Sequence, residues 1–237
     1  MRYDGTSYSG FQIQKNAPTI QEELERALAQ LCGRSIRLLA AGRTDAGVHA
    51  EGQVVAFDTD WQHSIRELHR GMNAVLPQQI AVTVLEKVDP AFHPRYDAVR
   101  RHYRYTVYWA PVRNPFAARF SLHVSRPLDL GAMRAAAQSL VGRRDFLAFG
   151  SPPQGNNSVR DVYRAAWSFA DPWLFFDIEA NAFLYRMVRM TVGTLLRVGY
   201  GALTPDEFRT MLEQRDRASA GPAVAAHGLC LRAVIYT

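Results

Sequence analysis

Residues 35–57 read SIRLLAAGRTDAGVHAEGQVVAF. The two aliphatic runs, SIRLLAA at 35–41 and GQVVAF at 52–57, have the composition of strands. Between them Gly42 and Gly47 bracket Arg43, Thr44 and Asp45, the residue chemistry of a tight loop. One arginine and one carboxylate are therefore set in a glycine loop between two strands. An aspartate beside glycine ordinarily bonds its own backbone in an Asx turn. A functional loop would instead present both charges from a rigid base. The local sequence is compatible with either.

Working outward, MRYDGTSYSGFQIQ at the start reads as a strand end and an Asp4-Gly5 turn. PTIQEELERALAQL reads as an amphipathic helix. Thr19 and Glu22 form a capping box, and Ile20, Leu24, Ala27, Leu28 and Leu31 share a face. HSIRELHRGMNAVLP is a second helix, stopped at Pro77, and QIAVTVLEKV at 79–88 is expected as a strand. The proline-rich stretch near 90–97 marks a boundary. After it, RRHYRYTVYW forms a strand with Tyr103, Tyr105, Val107 and Trp109 on one face. DLGAMRAAAQSLVG is a helix ended by Gly142, and SPPQGNNS at 151–158 a flexible polar loop. VRDVYRAAWSFA and WLFFDIEA form an antiparallel pair around Asp171-Pro172. NAFLYRMVRMTVGTLLRVG is the longest helix, TPDEFRTMLEQR a helix with Thr204, Pro205 and Glu207 as its start signals, and LCLRAVIYT a closing strand. This order predicts an α+β arrangement: two similar α/β units with mostly antiparallel sheets flanked by helices, spanning 1–96 and 97–237.

The composition is that of a globular chain: 48% hydrophobic and 21% charged over 237 residues. The formal net charge of +6 favours polyanionic partners. Of 28 basic residues only Lys15 and Lys87 are lysines, and the remainder are arginines, whose flat fork grips phosphate and stacks on bases. A GC-rich coding sequence would produce the same bias. Cys32 and Cys230 are far apart, and the seven histidines have no ligand spacing, so neither a disulfide framework nor a metal is expected. With no signal peptide or long apolar span, a cytoplasmic protein off the membrane is expected.

GRTDAGVHA at 42–50 matches, without substitution, the loop of the tRNA pseudouridine synthase A (TruA) family. YDGTSYSGFQ, TIQEELERAL, GMNAVLPQQIAV, FHPRYDAVRRHYRY, FLYRMVRMTVGTLLRVG and HGLCLRAVIY are similar to that family's other blocks, in order. The chain thus resembles the family along nearly its whole length. Only Met1 and Arg2 precede Tyr3, fewer residues than members usually carry, which implies a short first strand or a late start.

The resemblance implies a pseudouridine synthase fold with the catalytic cleft between its two units. It implies isomerisation of uridine to pseudouridine in the tRNA anticodon stem-loop, at positions 38, 39 or 40 of the tRNA. It also implies base flipping, a homodimer, and no cofactor. Asp45 is then the candidate nucleophile. Buried beside uracil, it would drift toward its neutral form. A cation ~4 Å away, at an effective dielectric of ~20, opposes this with about 4 kcal/mol of gross attraction. Arg189, in MVR, is the position the resemblance offers for that cation. Arg186, Arg189 and Arg197 lie off the apolar stripe of Phe183, Met187, Thr191 and Leu195, which reads equally as a solvated basic face. Tyr103 matches the residue that stacks on the uracil and could accept or relay a proton, yet it alternates with Tyr105 and Val107 as core residues do. Arg43 is the wedge that refills the vacated base position, with Gly42, Ala46 and Gly47 small enough to admit an RNA backbone.

Phe92, His93, Pro94, Arg95 and Tyr96, together with Arg101, form the expected RNA-contacting stretch. Arg100, Arg104, Arg143, Arg144, Arg160 and Arg164 are further phosphate candidates. Asp58 and Asp60 are expected to face water. Two other functions fit less of the sequence. A non-catalytic RNA-binding module of the same fold would not need Asp45, Arg43, Tyr103 and Arg189 intact. A glycosidic-bond hydrolase would need a second motif-borne carboxylate.

Overall fold

The computed structural model describes residues 1–152 and 155–236. Pro153 and Gln154, within the expected polar loop, and Thr237, at the end of the closing strand, lie outside the described residues. The chain is a mixed α/β fold with mostly antiparallel strands and helices against them. It divides into two compact units, Met1–Val99 with Cys230–Thr237, and Arg100–Leu229.

The first unit opens with β1 (Arg2–Tyr3), followed by α1 (Ile20–Cys32), β2 (Leu38–Ala40), β3 (His49–Ala50), β4 (Val55–Phe57), α2 (Ile65–Val75) and β5 (Ile80–Ala81). Thr19 caps α1 by accepting the Glu22 N–H, and Ile20, Leu24, Ala27 and Leu28 are its buried face. Ser64 and Glu67 form a complete capping box at α2. β1 pairs antiparallel with both β3 and β5. β2 pairs antiparallel with β4, from Leu38↔Phe57 to Ala40↔Val55, so the two aliphatic runs are the two strands they were expected to be.

The expected strand at 79–88 shrinks to β5. The Val82 peptide is diverted: its N–H donates to Asn73 Oδ1 at 2.9 Å and its carbonyl accepts from Asn73 Nδ2 at 2.9 Å. A backbone satisfied by a side chain has no need of a ladder, and Val84 and Val88 beyond it are exposed.

The second unit contains β6 (Arg100–Trp109), β7 (Leu122–Val124), α3 (Leu130–Gln138), β8 (Gly142–Asp145), β9 (Val159–Ala170), β10 (Trp173–Ala180), α4 (Met187–Gly199) and α5 (Pro205–Gln214). Its sheet runs β6-β10-β9-β8, all antiparallel, with β7 added parallel to β6. On β6, Arg101, Tyr103, Tyr105 and Val107 are buried at every second position, and α4 packs against this strand. α5 starts as its sequence signals require, with Thr204 and Glu207 in a capping box and Pro205 at the first position.

Helix α4 begins at Met187, six residues later than the expected stretch. Arg186 stands before it in the left-handed region, with φ at 62°, a conformation that cannot extend an α-helix backward. Eleven of its thirteen residues are buried, leaving Arg189 and Arg197 as the exceptions. The final strand, β11 (Leu229–Ile235), pairs parallel with β3 through Cys230↔His49 and Leu231↔Ala50. The chain passes from the first unit to the second between Val99 and Arg100, and the residues after Leu229 belong to the first unit again.

Candidate active site

Between β2 and β4 the chain leaves the ladder at Gly42 and re-enters after Gln53, and the loop's peptide groups are taken up by the N-terminal segment. Phe11 N–H donates to Thr44 O at 3.0 Å, Gly47 N–H to Tyr8 O at 3.2 Å, and Val48 N–H to Asp45 O at 3.1 Å. Gly5 N–H donates to His49 Nδ1 at 3.1 Å. Gly10 lies against the loop at φ 99°, where a Cβ would come within 2.9 Å of Thr44 O, so only glycine fits both the backbone and the gap.

Side chains complete the base. The Tyr3 hydroxyl meets Thr44 Oγ1 at 2.7 Å, and Gln53 Nε2 donates to Gly42 O at 2.9 Å and to the Tyr3 hydroxyl at 3.4 Å. Tyr3, Thr44 and Gln53 are all buried, whereas Arg43 is exposed and Asp45 partly exposed. Burial pushes the Tyr3 phenol up, against its bonds to Thr44 and Gln53, so it stays protonated. Asp58 and Asp60 are exposed, with Asp60 on Arg34 at 3.1 Å.

The FHPRY segment, in the same unit, folds around His93. Its Nδ1 accepts the N–H groups of Arg95 and Tyr96 at 3.1 and 3.3 Å, and its ring lies 4.2 Å from that of Tyr96. Phe92 packs on Tyr236, whose hydroxyl donates to Pro94 O at 2.7 Å. Tyr96 is left 74% exposed, with the Arg95 guanidinium 5.8 Å from its ring centre.

In the second unit, Tyr103 is 9% exposed and meets the Phe183 ring edge-on at 5.0 Å and 82°. Arg101, two residues away on the same face, donates to Asn181 O at 2.7 Å, which braces the turn carrying Phe183. Arg189 stands in the first turn of α4. Its Nε donates to Val224 O at 2.8 Å, and Arg197 further along donates to Ser219 O at 2.7 Å. Segment 219–224 is thus strapped onto the helix, and the solvated basic face is replaced by a clamped one. Tyr105, also buried, donates to Ala225 O at 2.8 Å. Burial pushes its phenol up and the nearby Arg189 cation opposes that shift.

Several arginines expected on phosphate have partners inside the unit. Arg104 forks onto Asp177 through Nε–Oδ1 and Nη2–Oδ2, both 2.9 Å, with His102 Nε2 on the same Oδ1 at 2.7 Å. Burial raises the Asp177 carboxyl, but these partners outweigh it and hold it down at about 2. Arg160 is buried and bonds Asn157 O and Val159 O. Arg143 and Arg164 lie 3.7 and 3.8 Å from Asp161 and Glu179. The pairings of Arg104, Arg143 and Arg164 follow from the registers of β6 with β10, β8 with β9, and β9 with β10, which no local pattern displays.

The mixed, mostly antiparallel α/β frame is consistent with the pseudouridine synthase fold, the class to which the comparisons assign the chain. A family model described as tRNA pseudouridine synthase matches residues 1–97 and 136–237. The tRNA pseudouridine synthase A of Syntrophotalea carbinolica is 45% identical over 237 residues, covering all of this chain and 94% of that protein. The proteins of the same name from Moorella thermoacetica and Geobacter sulfurreducens are 44% and 43% identical, each over all of this chain and 97% of the relative. The chain belongs to the tRNA pseudouridine synthase family. Among the described residues no helix is long and apolar enough to cross a membrane.

Proposed function

We propose that this protein isomerises uridine to pseudouridine in the anticodon stem-loop of tRNA, at one or more of positions 38, 39 and 40 of the tRNA, and that it does so as a cytoplasmic homodimer. The N1–C1′ bond breaks, the uracil turns, and a C5–C1′ bond forms. C5 gives up a proton and N1 gains one, so the balance requires no oxidant, reductant or metal. Asp45 is the nucleophile, whether its carboxylate bonds the sugar carbon or adds to the ring. Arg43 enters the stack as the uridine leaves it. Tyr103 stacks on the flipped base and takes or relays the C5 proton, its ring plane set by Phe183. Arg189 is the cation that supports the attacking carboxylate. Tyr96 and Arg95 hold the RNA, with Phe92, His93 and Pro94 shaping that turn, while Arg101 braces the Asn181–Phe183 turn instead of meeting phosphate.

The observation that carries this reading is the unbroken GRTDAGVHA loop in a family member, with Arg43 exposed and Asp45 partly exposed over a buried polar base. The test uses purified protein and an unmodified tRNA transcript with nothing added, followed by digestion and nucleoside chromatography. Pseudouridine is expected from the wild type and none from Asp45→Asn, with tRNA binding kept by both. Binding by both proteins with pseudouridine from neither would favour a non-catalytic RNA-binding module. Pseudouridine from Asp45→Asn would remove Asp45 from the mechanism.

A further inference from the structure

Along residues 42–45 the Gly42 carbonyl and the Thr44 side chain are bonded from below. Thr44 is buried, Arg43 is exposed, and Gly42 and Asp45 are partly exposed. Those bonds come from the Tyr3 hydroxyl on Thr44 Oγ1, 41 positions apart, and from Gln53 Nε2 on Gly42 O, 11 positions apart, and on the Tyr3 hydroxyl, 50 positions apart. Tyr3, Thr44 and Gln53 are 4%, 6% and 0% exposed. Gln53 is itself immobilised: its backbone N–H donates to Met1 O at 3.1 Å, and its Oε1 accepts the Val54 N–H at 3.2 Å. Tyr3 is anchored in β1 and its ring lies 6.2 Å from that of Phe11, whose N–H holds Thr44 O.

A buried polar cluster of this kind costs desolvation that an apolar core would not, so its worth lies in the geometry it enforces. Gly42 O and Thr44 Oγ1 sit on either side of Arg43, and Thr44 immediately precedes Asp45. Fixing these two points fixes the directions in which Arg43 and Asp45 leave the backbone.

We infer that Tyr3, Thr44 and Gln53 are positioning residues, which set the Arg43 and Asp45 side chains for base extraction and attack. The inference rests on the proposed role of Asp45. The cluster acts through the loop and touches no substrate, so its loss lowers the rate of the chemical step and leaves tRNA affinity unchanged. A displacement on the order of 1 Å at a reacting group lowers turnover by as much as ~100-fold.

The decisive variant is the double substitution Tyr3→Phe with Thr44→Val. It removes both hydroxyls together, so neither is left without the other, and Gln53 Nε2, which loses its 3.4 Å bond to Tyr3, keeps its 2.9 Å bond to Gly42 O, for a stability cost of about 1–2 kcal/mol. With enzyme in excess over transcript, its single-turnover rate is expected to fall about tenfold or more, while Kd for tRNA stays within about twofold and Tm within a few degrees. Thr44→Ser, which keeps the hydroxyl, should retain a near-wild-type rate. Hydrogen exchange gives a second reading that does not depend on activity: amides of residues 42–48 should exchange faster in the double variant, and those of α1 and α2 unchanged. Tyr3→Phe alone serves the same readouts should the double variant fold poorly. Loop exchange identical to wild type would overturn the inference, as would a double variant that turns over at the wild-type rate. A wild type that makes no pseudouridine, with selective loop opening still seen in the double variant, would instead contradict the function and leave the bracing of the loop by this cluster supported.

Discussion

Asp177 and Asp45 lie on the same chain under opposite regimes. Asp177 is 1% exposed, and its two oxygens take both ends of the Arg104 fork together with His102. Around Asp45 the buried bonds instead grip the backbone and neighbours: the carbonyls of Gly42 and Thr44, the Thr44 hydroxyl and the Gly47 N–H. One carboxylate is neutralised in place to join β6 to β10. The other is carried on a fixed loop with part of its surface open. Burial of the charge marks the structural aspartate, and burial of the polar base beneath the charge marks the candidate catalytic one.

The contrast is sharpest in a matched pair of alanine variants. Asp45→Ala should lower pseudouridine formation by about 10⁴-fold or more, the scale of losing a nucleophile, with Tm within a few degrees of wild type. Asp177→Ala should do the reverse. It strands a partly exposed guanidinium, costing about 2–3 kcal/mol after allowance for solvent screening, or roughly 4–12 °C in Tm for a chain of this length. Turnover per folded molecule should change little. An unstable Asp45→Ala, or a stable but inactive Asp177→Ala, would invert the comparison.

Acid titration separates the two next. The Asp177 carboxyl is held at about 2 against an ordinary 3.8. Its contribution is therefore complete above about pH 4 and is lost as the pH falls through about 2. That amounts to about 2 kcal/mol, visible as a steeper loss of chemical-denaturation stability between those pH values than in Asp177→Asn. Gly10→Ala tests the loop from its other side. The left-handed backbone and the close Thr44 carbonyl predict a cost of about 1–3 kcal/mol, with a fall in turnover exceeding the fraction unfolded. The smallest effect belongs to a site remote from both aspartates: Thr204→Ala removes the α5 cap and should cost about 1 kcal/mol, seen as a Tm shift of roughly 2–4 °C with unchanged activity.

What could be read from the sequence follows the range of the interactions. β2, β4, β9, β10 and α5 are marked by their own residues, through aliphatic runs, the Asp171-Pro172 turn and the Thr204–Glu207 box. The segment at 79–88 misled because the Asn73 side chain, nine positions from Val82, takes the peptide group that a ladder would have used. The start of α4 was hidden because only the backbone shows that Arg186 is left-handed. At the site, Asp45 and Arg43 stand out in their loop, and the alternation along β6 does place Tyr103 on the buried face. The Tyr3–Thr44–Gln53 base was invisible, since it joins residues 41 and 50 positions apart with no periodicity between them. A glutamine inside the aliphatic run before β4 was its one local trace. Arg104 looked like a phosphate ligand for the same reason: its partner Asp177 lies 73 positions away and is found only through strand register.

The central claim is that a carboxylate on the 42–47 loop drives the exchange of the N1–C1′ bond for a C5–C1′ bond. Its most direct measurement is tritium release from tRNA labelled at C5 of uridine, followed by mapping of the modified positions. The wild type should release label to water, with modification confined to the 3′ side of the anticodon stem-loop, and Asp45→Asn should release none while still binding the RNA. Release by Asp45→Asn at the wild-type rate would contradict the account.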